Sequence, residues 1–216
     1  MTSDLAPPHF DAEFRARLRE LIFWRRDVRR FKSDTVDEKL VLTLLELASH
    51  APSVGFSQPW RFVLVDSPER RQAVRQSFER ANADALACYA GERRGLYARL
   101  KLEGLQVAPV QLAVFADEAT AVGSGLGSRT MPQTLAYSVV GAVHTFWLAA
   151  RAYGLGVGWV SIIEPDVVTK ALDVPADWKL VAYLCIGWPA EEHLDPELER
   201  HGWEQRIDME PLIFRR

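Results

Sequence analysis

The chain has 216 residues, 48% hydrophobic and 25% charged, which is enough apolar material for one sizeable core and reads as a single domain over 1–216. A formal net charge of -3 gives no overall basic field and excludes extended nucleic-acid binding. Met1 to Phe10 lacks the basic-then-apolar order of a secretory leader and no apolar run reaches spanning length, so a cytoplasmic chain without a membrane partner is expected.

Phe10, Phe14, Leu18 and Ile22 recur four apart between arginines and glutamate, which predicts a helix over 11–24. That helix delivers Arg25-Arg26-Asp27-Val28-Arg29-Arg30-Phe31, four guanidinium groups around one carboxylate. Arginine forks grip phosphate oxygens bidentately, so the stretch suggests an anionic ligand. Asp27 would repel such a ligand, so it either pairs with its neighbours, Arg30 among them, or does chemistry. A second helix is predicted over 36–49, with Thr35 and Glu38 as a capping box and Val36, Leu40, Leu44 and Ala48 on one face.

Two prolines and a glycine make 51–60, Ala-Pro-Ser-Val-Gly-Phe-Ser-Gln-Pro-Trp, a loop of the kind that carries sites. A strand is predicted at 61–66, followed by a polar helical arm or lid over 68–105 with a break near Gly91. A second strand at 109–116 leads into Gly123-Ser-Gly-Leu-Gly-Ser-Arg129. Its third glycine is misplaced for a dinucleotide fingerprint and no acidic strand follows at the right distance, so a mobile loop is expected.

Residues 132–153 form the longest helix signal, begun by Pro132 and ended by Gly154, apolar around most of its circumference, with His144 expected in the core. Gly154-Leu-Gly-Val-Gly158 turns into a third strand, where small residues allow close backbone approach. A short helix at 165–172 and an apolar strand at 180–186, suited to the sheet centre, complete the pattern. Residues 190–216 are a polar tail in which Trp203, Arg206 and Leu212-Ile213-Phe214 are the expected anchors. Cys88 and Cys185 stand far apart and read as two reduced thiols, and no Cys/His cluster has metal-ligand spacing. The elements predict an α+β fold with a central mixed sheet surrounded by helices.

The arginine cluster ending in Phe31, Ala-Pro-Ser-x-x-x-x-Gln-Pro-Trp at 51–60 and Gly-Leu-Gly-x-Gly at 154–158 together resemble the nitroreductase-like flavoprotein superfamily, in order and spacing over about residues 20–190. Asp27 and Phe56 stand where nitroreductases usually have serine and asparagine, as in a branch that consumes its flavin. The resemblance implies a domain-swapped homodimer binding reduced FMN between subunits. With dioxygen the flavin would be the substrate, fragmented to 5,6-dimethylbenzimidazole, erythrose 4-phosphate and dialurate for cobalamin synthesis. A separate flavin reductase would supply the FMNH2.

By the same resemblance, Arg25, Arg26, Val28 and Arg29 hold the FMN phosphate and ring, with Asp27 as general base and Ser161 near the flavin, steering dioxygen. Gly156, Val157 and Gly158 would lie against the ring, with His50 and Ser53 as lesser contacts and Arg206 on the phosphate side. The arginines beside Asp27 would depress its pKa, and burial beside the flavin would oppose them. Two alternatives stay open: an FMN-dependent NAD(P)H nitroreductase or flavin reductase, and a non-enzymatic flavin-binding protein.

Overall fold

The structure is a computed structural model that describes residues 6–216. The first five positions of the stretch read above as leader-free lie outside the described residues. The described residues form seven α-helices and four strands, in the order α1 (Ala12–Trp24), α2 (Glu38–Ser49), β1 (Trp60–Leu64), α3 (Pro68–Ala87), α4 (Gly91–Arg99), β2 (Val110–Asp117), α5 (Thr134–Ala152), β3 (Gly156–Val160), α6 (Pro165–Leu172), β4 (Trp178–Gly187) and α7 (Glu197–Arg200). Among the described residues no helix is long and apolar enough to cross a membrane.

The strands form one sheet in the order β1-β2-β4-β3, so the apolar run expected at the centre is there, as β4. All three ladders are antiparallel. The parallel component of the sheet is a single bridge, Asp27 to Val157, on the outer edge of β3.

Side chains alternate across a strand, and the two faces of this sheet bury different sets. On one face Leu112, Val114, Leu184 and Ile186 pack with Leu44 of α2 and Val139, Val143 and Phe146 of α5. On the other, Ala113, Phe115, Tyr183 and Cys185 pack with Val74 and Phe78 of α3 and Val168 and Leu172 of α6. Burying each such large side chain contributes about 1.5–3 kcal/mol. The first half of the expected polar arm is thus held to the core by Val74 and Phe78, while α4 adds only Tyr97.

Several local expectations are corrected. Asp37, not Thr35, caps α2, accepting from the Lys39 N–H at 2.9 Å. The Thr35 carbonyl instead takes the indole N–H of Trp188 at 3.2 Å. His144 is exposed, because α5 buries Val143 and Phe146 on the opposite side. The segment 123–129 is a set of hydrogen-bonded turns stacked on 54–57, where a Cβ on Gly123 would meet the Gly55 carbonyl oxygen at 2.5 Å. Leu212, Ile213 and Phe214 do not anchor the tail on this chain, being 51–72% exposed; Trp203 does, against Tyr89 and Tyr97. The two cysteines, by contrast, are free as expected, Cys88 exposed and Cys185 buried.

What brings residues 27–29 onto β3 is the absence of side chains at two positions. A Cβ on Gly156 would meet Val28 Cγ2 at 2.8 Å, and one on Gly158 would meet the Val28 carbonyl oxygen at 2.1 Å. Gly158→Ala is therefore expected to lower stability by about 1–3 kcal/mol, the usual cost of forcing extra volume into a packed site. Gly95→Ala, where a Cβ meets nothing within 4 Å, should be neutral or stabilising, and urea unfolding of both variants checks the contrast.

Candidate active site

After the last turn of α1 the chain turns extended at Arg25, and Val28 donates its N–H to the Val157 carbonyl at 3.0 Å. This places Asp27 beside β3, with Oδ1 accepting the Trp159 N–H at 2.9 Å and Oδ2 accepting from Arg29 Nε at 2.8 Å. Arg29 is fixed from its far side as well, donating from Nη1 to the Lys101 carbonyl at 2.8 Å. Its side chain is 13% exposed and that of Asp27 31%, so the pair is recessed but the carboxylate can be reached.

Burial pushes the Asp27 carboxyl above its ordinary value, and this outweighs the opposing pull of Arg29 and the Trp159 N–H. Of the two opposing effects expected, burial is the larger, and the expected pairing with Arg30 is corrected. Arg30 points to the tail, to Glu197 at 2.8 Å and Glu191 at 3.2 Å.

Arg25 lies over the Trp147 ring, 4.9 Å from its centroid, and Trp147 gives its indole N–H to the Arg26 carbonyl at 3.2 Å. The Arg26 guanidinium donates to the Leu194 carbonyl at 2.9 Å. Its pKa is lowered by burial first, then by the nearby charges of Arg25 and Arg206. Arg151 is neutralised by Glu192 and Arg30 by the tail acids, whereas Arg25, Arg26 and Arg206 have no ion-pair partner among the described residues. Arg25 and Arg206 both bear on Arg26, and cations grouped in this way without an ion pair fit an anionic group such as a phosphate.

The remaining expected residues divide. Gly156 and Gly158 turn the side where a Cβ would stand to Val28 of the same chain, so packing within the chain already requires both to be glycine. Ser161 follows the last residue of β3, exposed. Its hydroxyl has no hydrogen bond among the described residues. His50 caps α2, and the Ser53 hydroxyl accepts the Gln58 N–H at 3.1 Å. No hydrogen bond or ion pair among the described residues links either to the Asp27 cluster.

Sequence reasoning missed the groups that hold the charged pair. The Trp159 N–H and the Lys101 carbonyl are backbone and carry no residue-type signal. Trp147 was visible only as an apolar position on α5, although a buried indole N–H needs an acceptor. No cluster of three metal-ligating side chains is present among the described residues.

The nitroreductase family profile matches residues 22–188, and the chain belongs to the nitroreductase family. Within it, the chain is similar to the 5,6-dimethylbenzimidazole synthase of Rhodospirillum rubrum, 62% identical over 92% of this chain and 94% of the relative. It is also similar to the enzyme of the same name from Rhodobacter capsulatus, 46% identical over 94% of this chain and 98% of the relative. Among solved structures, iodotyrosine deiodinase bound to FMN and 3-iodo-L-tyrosine superposes with a TM-score of 0.72 at 25% identity, covering 92% of this chain and 97% of that one.

The raised pKa has a stability consequence. A carboxyl whose pKa is higher folded than unfolded favours the fold in its protonated form, so its contribution is lost as pH rises through the folded value. Asp27→Asn, which mimics the protonated form, should raise the melting temperature near neutral pH. The gap to wild type should close as pH falls below the ordinary carboxylate value, 3.8. Thermal unfolding of both proteins from acid to neutral pH checks the sign.

Proposed function

We infer that this chain is a 5,6-dimethylbenzimidazole synthase that fragments reduced FMN with dioxygen, yielding 5,6-dimethylbenzimidazole, erythrose 4-phosphate and dialurate for the lower ligand of cobalamin. Near-full-length identity to relatives of that name supports the activity. The observation that carries the chemistry is Asp27, a recessed carboxylate of raised proton affinity placed among arginines. A nitroreductase that only cycles electrons through its flavin has no use for a base there.

The flavin is the substrate, and its isoalloxazine supplies the electrons that reduce dioxygen. Arg25, Arg26 and Arg206 hold the phosphate end, because they bear on one another at this site and none is tied into an ion pair among the described residues. Arg29, locked between Asp27 and the Lys101 carbonyl, keeps the carboxylate in one orientation. Asp27 removes a proton from the ribityl carbon bonded to the ring, passes it to the reduced oxygen as that leaves, and, ionised again, serves as base when the sugar is cleaved in a retro-aldol step. Burial makes it a stronger base than a solvated carboxylate, which suits both transfers. The free hydroxyl of Ser161 is available to hydrogen-bond the reacting oxygen.

The working unit of this proposal is a homodimer in a cytoplasmic setting, with reduced FMN delivered by a separate reductase. Phe14, Leu18 and Ile22 of α1, Leu42 and Leu47 of α2, Tyr137 and Val140 of α5 and Phe214 of the tail are all 40–72% exposed, far more apolar surface than one chain covers. In such a dimer His50 and Ser53 would contact the flavin of the partner subunit, and α4 would lie over it as a lid.

The deciding experiment mixes anaerobically reduced FMN with the protein, admits air and analyses products by mass spectrometry. 5,6-Dimethylbenzimidazole is expected; recovery of oxidised FMN alone, with NAD(P)H-driven reduction of a nitroaromatic, would return the chain to the electron-cycling reading. Asp27→Asn should bind reduced FMN but form no product, a loss of at least about 100-fold for a missing general base. Ser161→Ala should divert flavin from product to simple reoxidation, and unchanged partitioning would remove Ser161 from the reaction.

A further inference from the structure

Glu103 is a buried carboxylate for which the reaction described above has no use. It is 8% exposed and lies in the connection between α4 and β2. Its Oε1 accepts from Lys101 Nζ at 2.6 Å, and its Oε2 accepts the Leu105 N–H. Burying a carboxylate costs free energy that a short surface turn has no reason to spend, so its partners indicate what it secures.

Those partners sit at the two ends of a five-residue segment, 101–105, which one carboxylate therefore ties across. The segment is fastened below as well. The Leu105 carbonyl accepts from Gln111 Nε2 at 2.8 Å, and Gln111 Oε1 accepts the Tyr183 hydroxyl at 2.7 Å, which links the turn to the two central strands. Gly104 admits the ring of Phe31, which a Cβ would meet at 2.4 Å, so the residue that closes the arginine cluster is wedged into the same turn. At the open end, the Lys101 carbonyl is the group that holds Arg29 Nη1 at 2.8 Å, and Arg29 Nε holds Asp27.

We propose that Glu103 is a positioning residue for the reaction: by tying Lys101 to Leu105 it aims the Lys101 carbonyl that locks Arg29 against Asp27. This rests on the reading of Asp27 as the base. Without the tie, the carbonyl is free to turn away, Arg29 gains rotamers, and the carboxylate loses its fixed orientation. A small misplacement of that kind is enough to slow a proton transfer about tenfold to a hundredfold.

The electrostatic surroundings make the effect readable. Asp27 faces Arg29 on its own segment, the Trp159 N–H of β3 and the more distant Glu197 of α7. Cys185 of β4 lies near both acids but stays neutral, its thiol pushed up to about 12 by burial, and Arg71 of α3 acts on the same thiol. Among the described residues Arg29 is therefore the one full positive charge bearing strongly on Asp27, and loosening it leaves burial opposed only by the Trp159 N–H. The Asp27 carboxyl should then titrate at higher pH, which a purely structural role for Glu103 would not bring about.

The test compares wild type, Glu103→Gln and Glu103→Ala in the full-length protein. The glutamine keeps an acceptor for the Leu105 N–H but cannot accept from Lys101; the alanine loses both ties. Turnover of reduced FMN should fall in that order, with kcat reduced and KM for FMNH2 unchanged, and the acid limb of the pH–rate profile should move upward. Independently of turnover, a carbon-13 titration of the Asp27 carboxyl, assigned by its loss in Asp27→Asn, should show the midpoint rising in the same order.

A folded Glu103→Ala with wild-type rate, or with reduced rate and an unmoved Asp27 midpoint, overturns the proposal. Should the alanine variant not fold, Glu103→Gln and Lys101→Met carry the same two readouts, each with a smaller shift in the same direction. A wild-type protein that forms no product overturns the functional reading instead, and the titration then decides the positioning role alone.

Discussion

The site depends on one close approach, the Val28 carbonyl lying where a side chain at position 158 would be, 2.1 Å from the Cβ that Gly158 lacks. Because that space is empty, residues 27–29 form a bridge to β3, and the Trp159 N–H is left pointing at Asp27. The acid is thus held by main chain on one side and by Arg29 on the other. Larger residues at 156 or 158 would push the segment off the sheet edge, and the carboxylate would lose both its donor and its burial. Backbone packing and proton affinity have the same cause here.

The charge balance around Asp27 follows from that placement. Four arginines beside an acid suggest a low pKa, but an interaction counts only where the geometry brings the groups together. Arg30 is drawn away by Glu191 and Glu197, and Arg25 lies on Trp147, so Arg29 alone bonds the carboxylate. One partner and one N–H do not offset the loss of water. The cluster that looked uniform is split three ways: Arg30 is paired with the tail, Arg29 with Asp27, and Arg25 and Arg26 have no ion-pair partner among the described residues.

Much of this arrangement was legible in the chain. The helical period of α1, the apolar run of β4 and the glycines before β3 each follow from local rules, and the three family motifs carried the fold and the flavin reading. What was not legible depends on contacts remote in sequence. His144 reads as core because α5 is apolar on nearly every side, yet only one face meets the sheet. The Thr35 carbonyl takes the Trp188 indole N–H, 153 positions downstream, and Asp37, next to the first residue of α2, is the cap. The raised proton affinity of Asp27 requires knowing what buries it, and neither Trp159 nor Lys101 contributes a side chain that a motif could record.

The same distinction explains why α1 and α5 look under-packed. Phe14, Leu18 and Ile22 keep a regular helical spacing although each is 40–48% exposed. A stripe that regular has little reason to persist on a surface facing only water. On the proposed dimer it has one, since a second chain would cover these faces and bring its own 50–56 loop toward the Asp27 cluster. Phe56, with φ at 55° and 76% of its surface exposed, then stops being an oddity of one chain. An aromatic residue held in the left-handed region is strained, and on the proposed dimer an exposed ring so held would be presented to the partner chain.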